Sequence, residues 1–481
     1  MVTQLQLLPL NSGAGCVSCP SKAKPARLMP DESLQDELRA LVERAAVHSA
    51  DDGWLPAGEE TEFTLSLDES VPLVAELHHE PVGDQHVWVG VQEAALAVVG
   101  DRLHRVVVRL AGGESPRSVA ADTGWATASD AISTLAASGL IRGLTGYTHR
   151  PALRIGQFAR FHLTRACQLE CAHCYADSSP HVDRSDELPT SRWLKLVDDF
   201  AAQGGEQVLF TGGEALMHDG CLDLMAASRQ RGLHVTLFSN GLLVNRLADR
   251  IHQAVDQVQI SVDGPDAESH DAIRGRNSLK HALTAVDALA ERGTPTRLGM
   301  TMVPSTWHNW VEKINRLRDR YAWAPHVTFK LSYGVMAYGR GVQINRTEVA
   351  SKAEVDAFLA EVNGDMSPQI TRHKSGCGYA EQLVVGPDGA VYPCHLLDGK
   401  VCHIDDMPLP QIIALLSGLL RQVDVDHVEG CRTCEIRYLC GGSCRVLGSG
   451  STGSRLITDC TPEEKKQKYV NLAASFGRSV R

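Results

Sequence analysis

The chain has 481 residues, of which 43% are hydrophobic and 22% are charged, and this composition predicts a globular protein of two or three domains. Its formal net charge of -11 offers no basic surface for nucleic acid, where phosphate neutralisation usually supplies most of the affinity. The first residues lack a basic stretch ahead of an apolar segment of signal-peptide length, and no later run approaches the roughly 20 apolar residues of a membrane span. We therefore expect a cytoplasmic protein with no membrane or nucleic-acid partner.

The first 148 residues predict an arm followed by a small domain. Residues 1–59 form the arm, whose Cys16 and Cys19 make a CxxC pair that fits either a metal clip or a solvated segment. Residues 60–148 contain strand-like runs at 63–67, 72–77 and 86–91, then apolar residues at helical spacing over 93–110 and two further short helices. Strands followed by three helices predict a winged helix-turn-helix.

Winged helix-turn-helix domains usually bind DNA through the third of these helices. A helix that reads the major groove needs positive charge and donors for the base edges. Residues Thr127 to Leu140 contain no Lys or Arg and do contain Asp130. We therefore do not expect this domain to bind DNA.

Residues 155–340 alternate strand-like runs with helical ones. Six such repeats predict an α/β fold, a partial (β/α)6 barrel with parallel strands inside and helices outside. Active sites of such barrels lie at the C-terminal ends of the strands. The predicted strands are 158–164, 207–211, 234–239, 257–262, 297–303 and 326–333.

Three cysteines follow the first barrel strand as CxxxCxxC: Cys167, Cys171 and Cys174. A loop with three thiolates leaves one iron of a 4Fe-4S cluster free to bind another ligand. The alternatives are a zinc site with His173 as fourth ligand, or buried thiols without a metal. Neither explains why further motifs follow the next strands at the same end of the barrel.

Those motifs resemble the radical S-adenosylmethionine superfamily. Gly212, Gly213 and Glu214 follow the second strand like the GGE motif of the family, whose backbone and carboxylate bind the methionyl ammonium group. Each further polar residue could also be a helix cap or a turn residue, but their order along the chain matches the family. By resemblance, the remaining cofactor contacts are His173 and Tyr175 beside the last cysteine near the adenine, Ser239 and Asn240 in the pocket wall, Ser261 and Asp263 at the ribose, and Arg274 at the carboxylate.

The resemblance also implies a reaction. One-electron reduction of the cluster cleaves S-adenosylmethionine, and the resulting 5'-deoxyadenosyl radical abstracts a hydrogen atom from the substrate. The protein positions the target C-H bond and excludes water. A flavodoxin or a ferredoxin is the expected electron donor.

Residues 341–376 are predicted to be a linker with a bridging helix, and residues 377–481 to be a Cys-rich domain. This last segment resembles the SPASM domain of peptide-modifying radical enzymes, with structural zinc knuckles as the alternative. By resemblance, two auxiliary 4Fe-4S clusters bring the total to three. The implied ligands are Cys431, Cys434, Cys440 and Cys460 for one cluster, and Cys377, Cys394 and Cys444 for the other.

The second auxiliary cluster has three implied ligands, so its fourth iron is either open or closed by another residue. Some relatives carry a further cysteine at the position that is Thr371 here. Cys402 and His373 are the candidates for closing the cluster. Cys221, alone in a helical stretch, is predicted to be a packed core thiol.

The first domain, placed ahead of these two, resembles the PqqD-like recognition element of ribosomal-peptide biosynthesis, which adds a leader peptide to its sheet edge. The three parts together predict a maturase that installs an oxidative cross-link in a precursor peptide, with a Cys thioether favoured. The alternatives are a carbon-carbon (cyclophane) link, epimerisation, decarboxylation and formylglycine formation. A DNA-binding iron-sulfur sensor would not need the motifs that resemble cofactor contacts.

Overall fold

The computed structural model describes residues 65–142, 155–302, 310–333, 338–347, 374 and 376–479. The first part is a three-stranded antiparallel sheet in the order β1-β2-β3, followed by three helices. The strands are β1 (Leu77–Val82), β2 (Gln85–Gly90) and β3 (Ala95–Gly100), and the helices are α1 (Asp101–Ala111), α2 (Pro116–Thr123) and α3 (Trp125–Ala137).

This region corrects three predictions. The helical pattern predicted over 93–110 is a strand up to Gly100, and its helix begins only at Asp101. Both faces of β3 are covered, so its run of apolar residues carries no period that distinguishes a strand from a helix. Within the strand predicted at 72–77, Leu73 forms an isolated bridge with Ile141 and only Leu77 belongs to a strand, β1. The described residues of the strand predicted at 63–67, residues 65–67, are not in a strand either.

All six predicted barrel strands are present and form one parallel sheet in chain order. The strands are β4 (Phe158–His162), β5 (Gln207–Thr211), β6 (His234–Ser239), β7 (Gln257–Ser261), β8 (Thr296–Met302) and β9 (Val327–Tyr333). The helices along this region are α4 (Thr190–Ala202), α5 (Cys221–Gln230), α6 (Val244–Ala254), α7 (Ala267–Arg274), α8 (Ser278–Ala290), α9 (Trp310–Arg320) and α10 (Gly341–Thr347).

The barrel core lies between the sheet and its outer helices. Phe161 on β4 packs against Trp193 on α4, with ring centroids 5.3 Å apart, and both side chains are fully buried. Because side chains alternate along a strand, Arg160 and His162 are on the opposite face of β4. The inner face of this sheet therefore carries polar groups, which is unusual for parallel strands covered on both sides.

The last part of the chain contains a hairpin that belongs to the barrel sheet. Its elements are β10 (Leu383–Val385), β11 (Ala390–Tyr392), β12 (Cys402–His403), α11 (Leu409–Gln422), α12 (Arg437–Cys440), α13 (Arg445–Thr452) and α14 (Pro462–Ser479). β10 runs parallel to β4, with Val384 opposite Arg160, so the sheet has nine strands. The cysteine-rich segment is therefore continuous with the barrel.

The first sheet packs against the end of the chain. Val87, Val89 and Leu96 form one buried cluster with Tyr469 and Leu472 of α14. Full burial of a valine or leucine side chain contributes about 1.5 to 3 kcal/mol, so this contact holds the two parts together. No described helix has both the length and the apolar character that a membrane span requires.

Candidate active site

The predicted cysteine loop lies at the C-terminal end of β4. The backbone N–H of Cys167 donates to the Ser179 carbonyl at 3.1 Å, and the N–H of Ala172 donates to the Ile273 carbonyl at 2.9 Å. Cys167 and Cys171 are 6% and 8% exposed. Burial raises the pKa of the Cys167 thiol to about 11, so its thiolate needs a metal to stabilise it.

The spacing of the thiols distinguishes a cluster from a single ion. Two Zn–S bonds of about 2.3 Å place thiolates at most about 4.6 Å apart. In the described part of the chain, the one group of three potential ligand atoms within 4.8 Å of each other contains no cysteine. The three loop thiols are therefore not all within that distance of one another, and a cluster in which each thiolate binds a different iron allows a wider spacing.

The two glycines after β5 hold this loop. A Cβ atom on Gly212 would lie 2.4 Å from the Thr164 carbonyl oxygen, and one on Gly213 would lie 2.4 Å from that of Ala166. Gly212 also has a φ of 152°, which L-residues rarely adopt. The close approach that these glycines permit here is to the backbone just before Cys167.

Glu214 connects β5 to the end of β6. Its Oε1 accepts a hydrogen bond from Ser239 Oγ at 2.9 Å, and its Oε2 accepts one from the N–H of Asn240 at 2.8 Å. Burial raises the pKa of Glu214, and these donors oppose that effect. The side-chain amide of Asn240 donates to Cys167 Sγ at 3.6 Å, so this network reaches the cysteine loop.

Asp263, His173 and Arg274 form a second network on the other side of the loop. His173 Nε2 lies 2.6 Å from Asp263 Oδ2, and Arg274 donates to the same oxygen. Burial raises the pKa of Asp263, but Arg274 and His173 outweigh it and hold the pKa well below its usual range. Arg274 also reaches Cys171, with Nη1 3.9 Å from the sulfur.

This network includes two of the residues predicted to contact the cofactor. Asp263 is fully buried, and its other oxygen accepts from the N–H of Thr301 at 3.0 Å. Both oxygens are therefore engaged within the protein, and the same network pairs Arg274 with Asp263. The contacts of Asp263 with the ribose and of Arg274 with the cofactor carboxylate stay predictions. Ser261 ends β7 opposite Gly299.

The sequence analysis missed Arg340, which lies just before α10. Its Nε donates to the carbonyl of Cys171 at 3.0 Å, and its Nη2 donates to that of Ser178 at 2.7 Å. The N–H of Arg340 donates to the carbonyl of Cys174 at 3.0 Å. The Gly-Arg-Gly sequence after the sixth strand, at the end of the barrel where the cysteines lie, was the available signal.

The inner face of the barrel carries buried polar atoms without partners. Arg160 Nε, both ring nitrogens of His162 and Gln259 Oε1 have no hydrogen-bond partner among the described residues. Burial lowers the pKa of Lys330, and the neighbouring Arg297 and Arg160 lower it further. Buried polar groups are costly when unpaired, so this face fits a polar or anionic ligand.

Two groups of cysteines lie in the last part of the chain. Cys377 and Cys444 share a hydrogen bond, which lowers the pKa of Cys377. Burial raises the pKa of Cys394, and Cys377 raises it further. These are the three thiols predicted to hold one auxiliary cluster, and the structure brings them together.

Cys440 interacts with each of the other three cysteines predicted to hold the auxiliary cluster that has four implied ligands. Burial raises the pKa values of Cys431, Cys434 and Cys460, and the Cys440 thiol adds to the increase in each. The four thiols predicted to share one cluster therefore lie near one another.

The remaining cysteines lie in the barrel core or outside the described residues. Cys221 is 1% exposed in the barrel core, which confirms the predicted packed thiol. Cys402 lies on β12 opposite Val391 and is 7% exposed in the same core. Cys16, Cys19, Thr371 and His373 lie outside the described residues.

Tyr175 connects the cysteine loop to the first auxiliary group. Its ring packs edge-on against His395, with ring centroids 5.8 Å apart, and His395 follows Cys394 in the chain. Burial raises the pKa of Tyr175, so its hydroxyl stays protonated. This contact places Tyr175 between the two cysteine groups.

The comparisons with known proteins agree with the loop motif. Residues 161–317 match the sequence model of the Radical SAM superfamily. The chain is 26% identical over 340 residues to the AdoMet-dependent heme synthase of Nitratidesulfovibrio vulgaris, covering 62% of this chain and 90% of that protein. It is 34% identical over 256 residues to the sporulation killing factor maturation protein SkfB of Bacillus subtilis, covering 50% of this chain and 61% of SkfB.

One solved structure resembles the fold over a longer part of the chain. Streptococcus suis SuiB bound to the precursor peptide SuiA aligns with a TM-score of 0.50 at 11% identity, covering 81% of this chain and 98% of SuiB. At this identity the similarity concerns the fold alone. The alignment extends well beyond the residues that match the superfamily model.

Proposed function

We propose, for a chain that carries a radical S-adenosylmethionine domain, that it installs an oxidative cross-link in a ribosomally synthesised precursor peptide. The favoured link is a thioether between a cysteine sulfur and a carbon atom. The observation that carries this proposal is the contact of the first sheet, through Val87, Val89 and Leu96, with the cysteine-rich end of the chain. A peptide held by that sheet would lie beside the auxiliary cysteines.

The two sets of cysteines support an oxidation. Cys167, Cys171 and Cys174 would hold the cluster that binds S-adenosylmethionine, and when bound these cofactors supply a radical that takes one hydrogen atom from the substrate. Formation of a C–S bond then releases one electron and the thiol proton, so the peptide loses two hydrogens in all. The auxiliary cysteines would hold groups able to accept that electron.

The group of three cysteines supports the thioether. Cys377, Cys394 and Cys444 supply three ligands, and we propose that the fourth iron is open to the thiol of the substrate. Cys402 is packed in the core opposite Val391, which disfavours it as the missing ligand. A carbon-carbon link, epimerisation and formylglycine formation remain the alternatives within the same enzyme class.

The mass of the product tests this proposal. We expect the short peptide encoded beside this gene to lose two hydrogens after anaerobic turnover with S-adenosylmethionine and a flavodoxin or ferredoxin as reductant. Alkylation should then count one free thiol fewer for a thioether, and an unchanged number for a carbon-carbon link. An unchanged mass despite 5'-deoxyadenosine formation would contradict cross-linking, and incorporation of deuterium from solvent would then indicate epimerisation.

Peptide capture can be tested by hydrogen exchange on the intact chain. In the described residues, β1 and β3 each have an outer edge that pairs with no other strand. We expect added precursor peptide to slow amide exchange in one of these two strands. β2 is the internal control because both of its edges are already paired. Protection confined to the barrel would contradict the recognition role.

The similarity to heme synthases supports a second candidate, an oxidation of a tetrapyrrole. Arg160, Arg297 and Lys330 would suit the carboxylates of such a substrate. The same anaerobic assay distinguishes the two candidates, because each substrate can be offered alone and 5'-deoxyadenosine counted against product. Turnover with the tetrapyrrole and none with the peptide would make the tetrapyrrole the preferred candidate substrate.

A further inference from the structure

Three histidines meet between the first sheet and its first helix. They are His79 on β1, His86 on β2 and His104 on α1, and one ring nitrogen from each lies within 4.8 Å of the other two. His79 Nε2 and His86 Nδ1 are 3.0 Å apart. The rings of His86 and His104 are stacked, with centroids 3.6 Å apart. These residues are far along the chain from the cysteine loop, and the radical chemistry does not use them.

The strand register explains why the rings meet. His79 pairs with Trp88, and Pro81 pairs with His86, so the two histidines are diagonal neighbours on one face of the hairpin. Val87, between His86 and Trp88, points to the opposite face and packs toward the end of the chain. The histidines therefore face α1, where His104 completes the group.

Hydrogen bonding prepares the group to bind a cation. The Nε2 atom of His86 lies 2.8 Å from Asp101 Oδ1, and a carboxylate can only accept, so Nε2 carries the proton. The lone pair on His86 Nδ1 then accepts from the N–H of His79 Nε2, and a bound cation would replace that proton while His79 takes the Nδ1-protonated form. This is the carboxylate–histidine arrangement that commonly orients a metal ligand. His104 Nδ1 is buried and has no hydrogen-bond partner among the described residues.

We propose that His79, His86 and His104 bind one zinc ion, with water in the fourth position. Neutral imidazole is a good ligand for zinc, and three protein ligands plus water make a tetrahedral site. Because the His86 and His104 rings are stacked nearly parallel, His104 would turn about its side-chain bonds to direct a lone pair at the ion. The ion would then compensate the unpartnered nitrogen and tie two strands to α1. This inference stands on the histidine geometry alone and does not depend on a peptide being the substrate.

The test uses the full chain without a polyhistidine tag, reconstituted anaerobically so that iron occupies the cysteines. After exposure to zinc sulfate and removal of excess metal on a chelating resin, we expect about one zinc ion per chain by mass spectrometry. His86→Gln and His104→Gln should lose this ion. His78→Gln is the matched control, because His78 adjoins His79 on β1 and is 45% exposed beside Glu435.

Two further measurements separate the site from misfolding and from cysteine binding. Asp101 is 80% exposed, so Asp101→Asn should fold normally while its zinc affinity, measured by competition with a chelator, falls about 10- to 100-fold. X-ray absorption at the zinc edge should show nitrogen and oxygen neighbours only. Equal zinc in the wild type and His104→Gln, or sulfur neighbours, would overturn the proposal.

Discussion

Replacing Cys171 with alanine should abolish the formation of 5'-deoxyadenosine. Cys171 is the middle cysteine of the loop, is 8% exposed and lies beside Arg274, so water or a nearby side chain has little access to replace its thiolate. A loop with two thiolates cannot hold a 4Fe-4S cluster with one open iron. The measurement is 5'-deoxyadenosine by liquid chromatography and mass spectrometry after anaerobic reconstitution and reduction.

Cys221→Ala is the matched control for this substitution. Cys221 is also buried, at 1% exposure, but it lies at the start of α5 in the hydrophobic core. We expect this variant to cleave S-adenosylmethionine at a rate near that of the wild type. Cleavage by Cys171→Ala at that same rate would refute the role we give to the loop.

Replacing Cys440 with serine should separate cofactor cleavage from peptide modification. Cys440 lies close enough to Cys431, Cys434 and Cys460 to raise the pKa of each. Its loss should therefore remove one auxiliary cluster. Iron content should fall from about 12 to about 8 per chain if all three clusters contain four irons. Because the loop after β4 is intact, 5'-deoxyadenosine should still form, while cross-linked peptide should not.

Iron analysis and product mass together decide this prediction. Cys221→Ala again serves as control and should keep about 12 irons and full product formation. A Cys440→Ser protein that keeps both its iron and its cross-linked product would contradict the auxiliary assignment. A wild-type count near four would remove both auxiliary clusters at once.

The barrel was predictable from the sequence because its signals are local. Each strand is a short apolar run, and each motif follows a strand, so the order along the chain already places Glu214 and Asn240 at one end of the sheet. The cysteines were predictable because ligand spacing is a property of the loop itself. The grouping of Cys377 with Cys394 and Cys444 required the family resemblance.

The features that sequence reasoning missed depend on contacts between distant residues. β3 resembles a helix until its pairing with β2 is known, since both of its faces are covered. The pairing of Asp263 with His173 and Arg274 joins three separate elements, and no spacing in the sequence indicates it. Arg340 holds the cysteine loop from 169 residues beyond Cys171. Polar contacts between residues far apart in the chain leave no periodic pattern in the sequence, so they could not be predicted from it.

The pairing of β10 with β4 bears on electron transfer within the molecule. Cys394 lies two residues after the end of β11, and the cysteine loop follows β4, so both leave a single hydrogen-bonded sheet. Their separation is then set by strand register and not by the length of a connecting segment. If both loops hold clusters as proposed, an electron passing between them would cross a gap whose width does not depend on any motion of the first sheet.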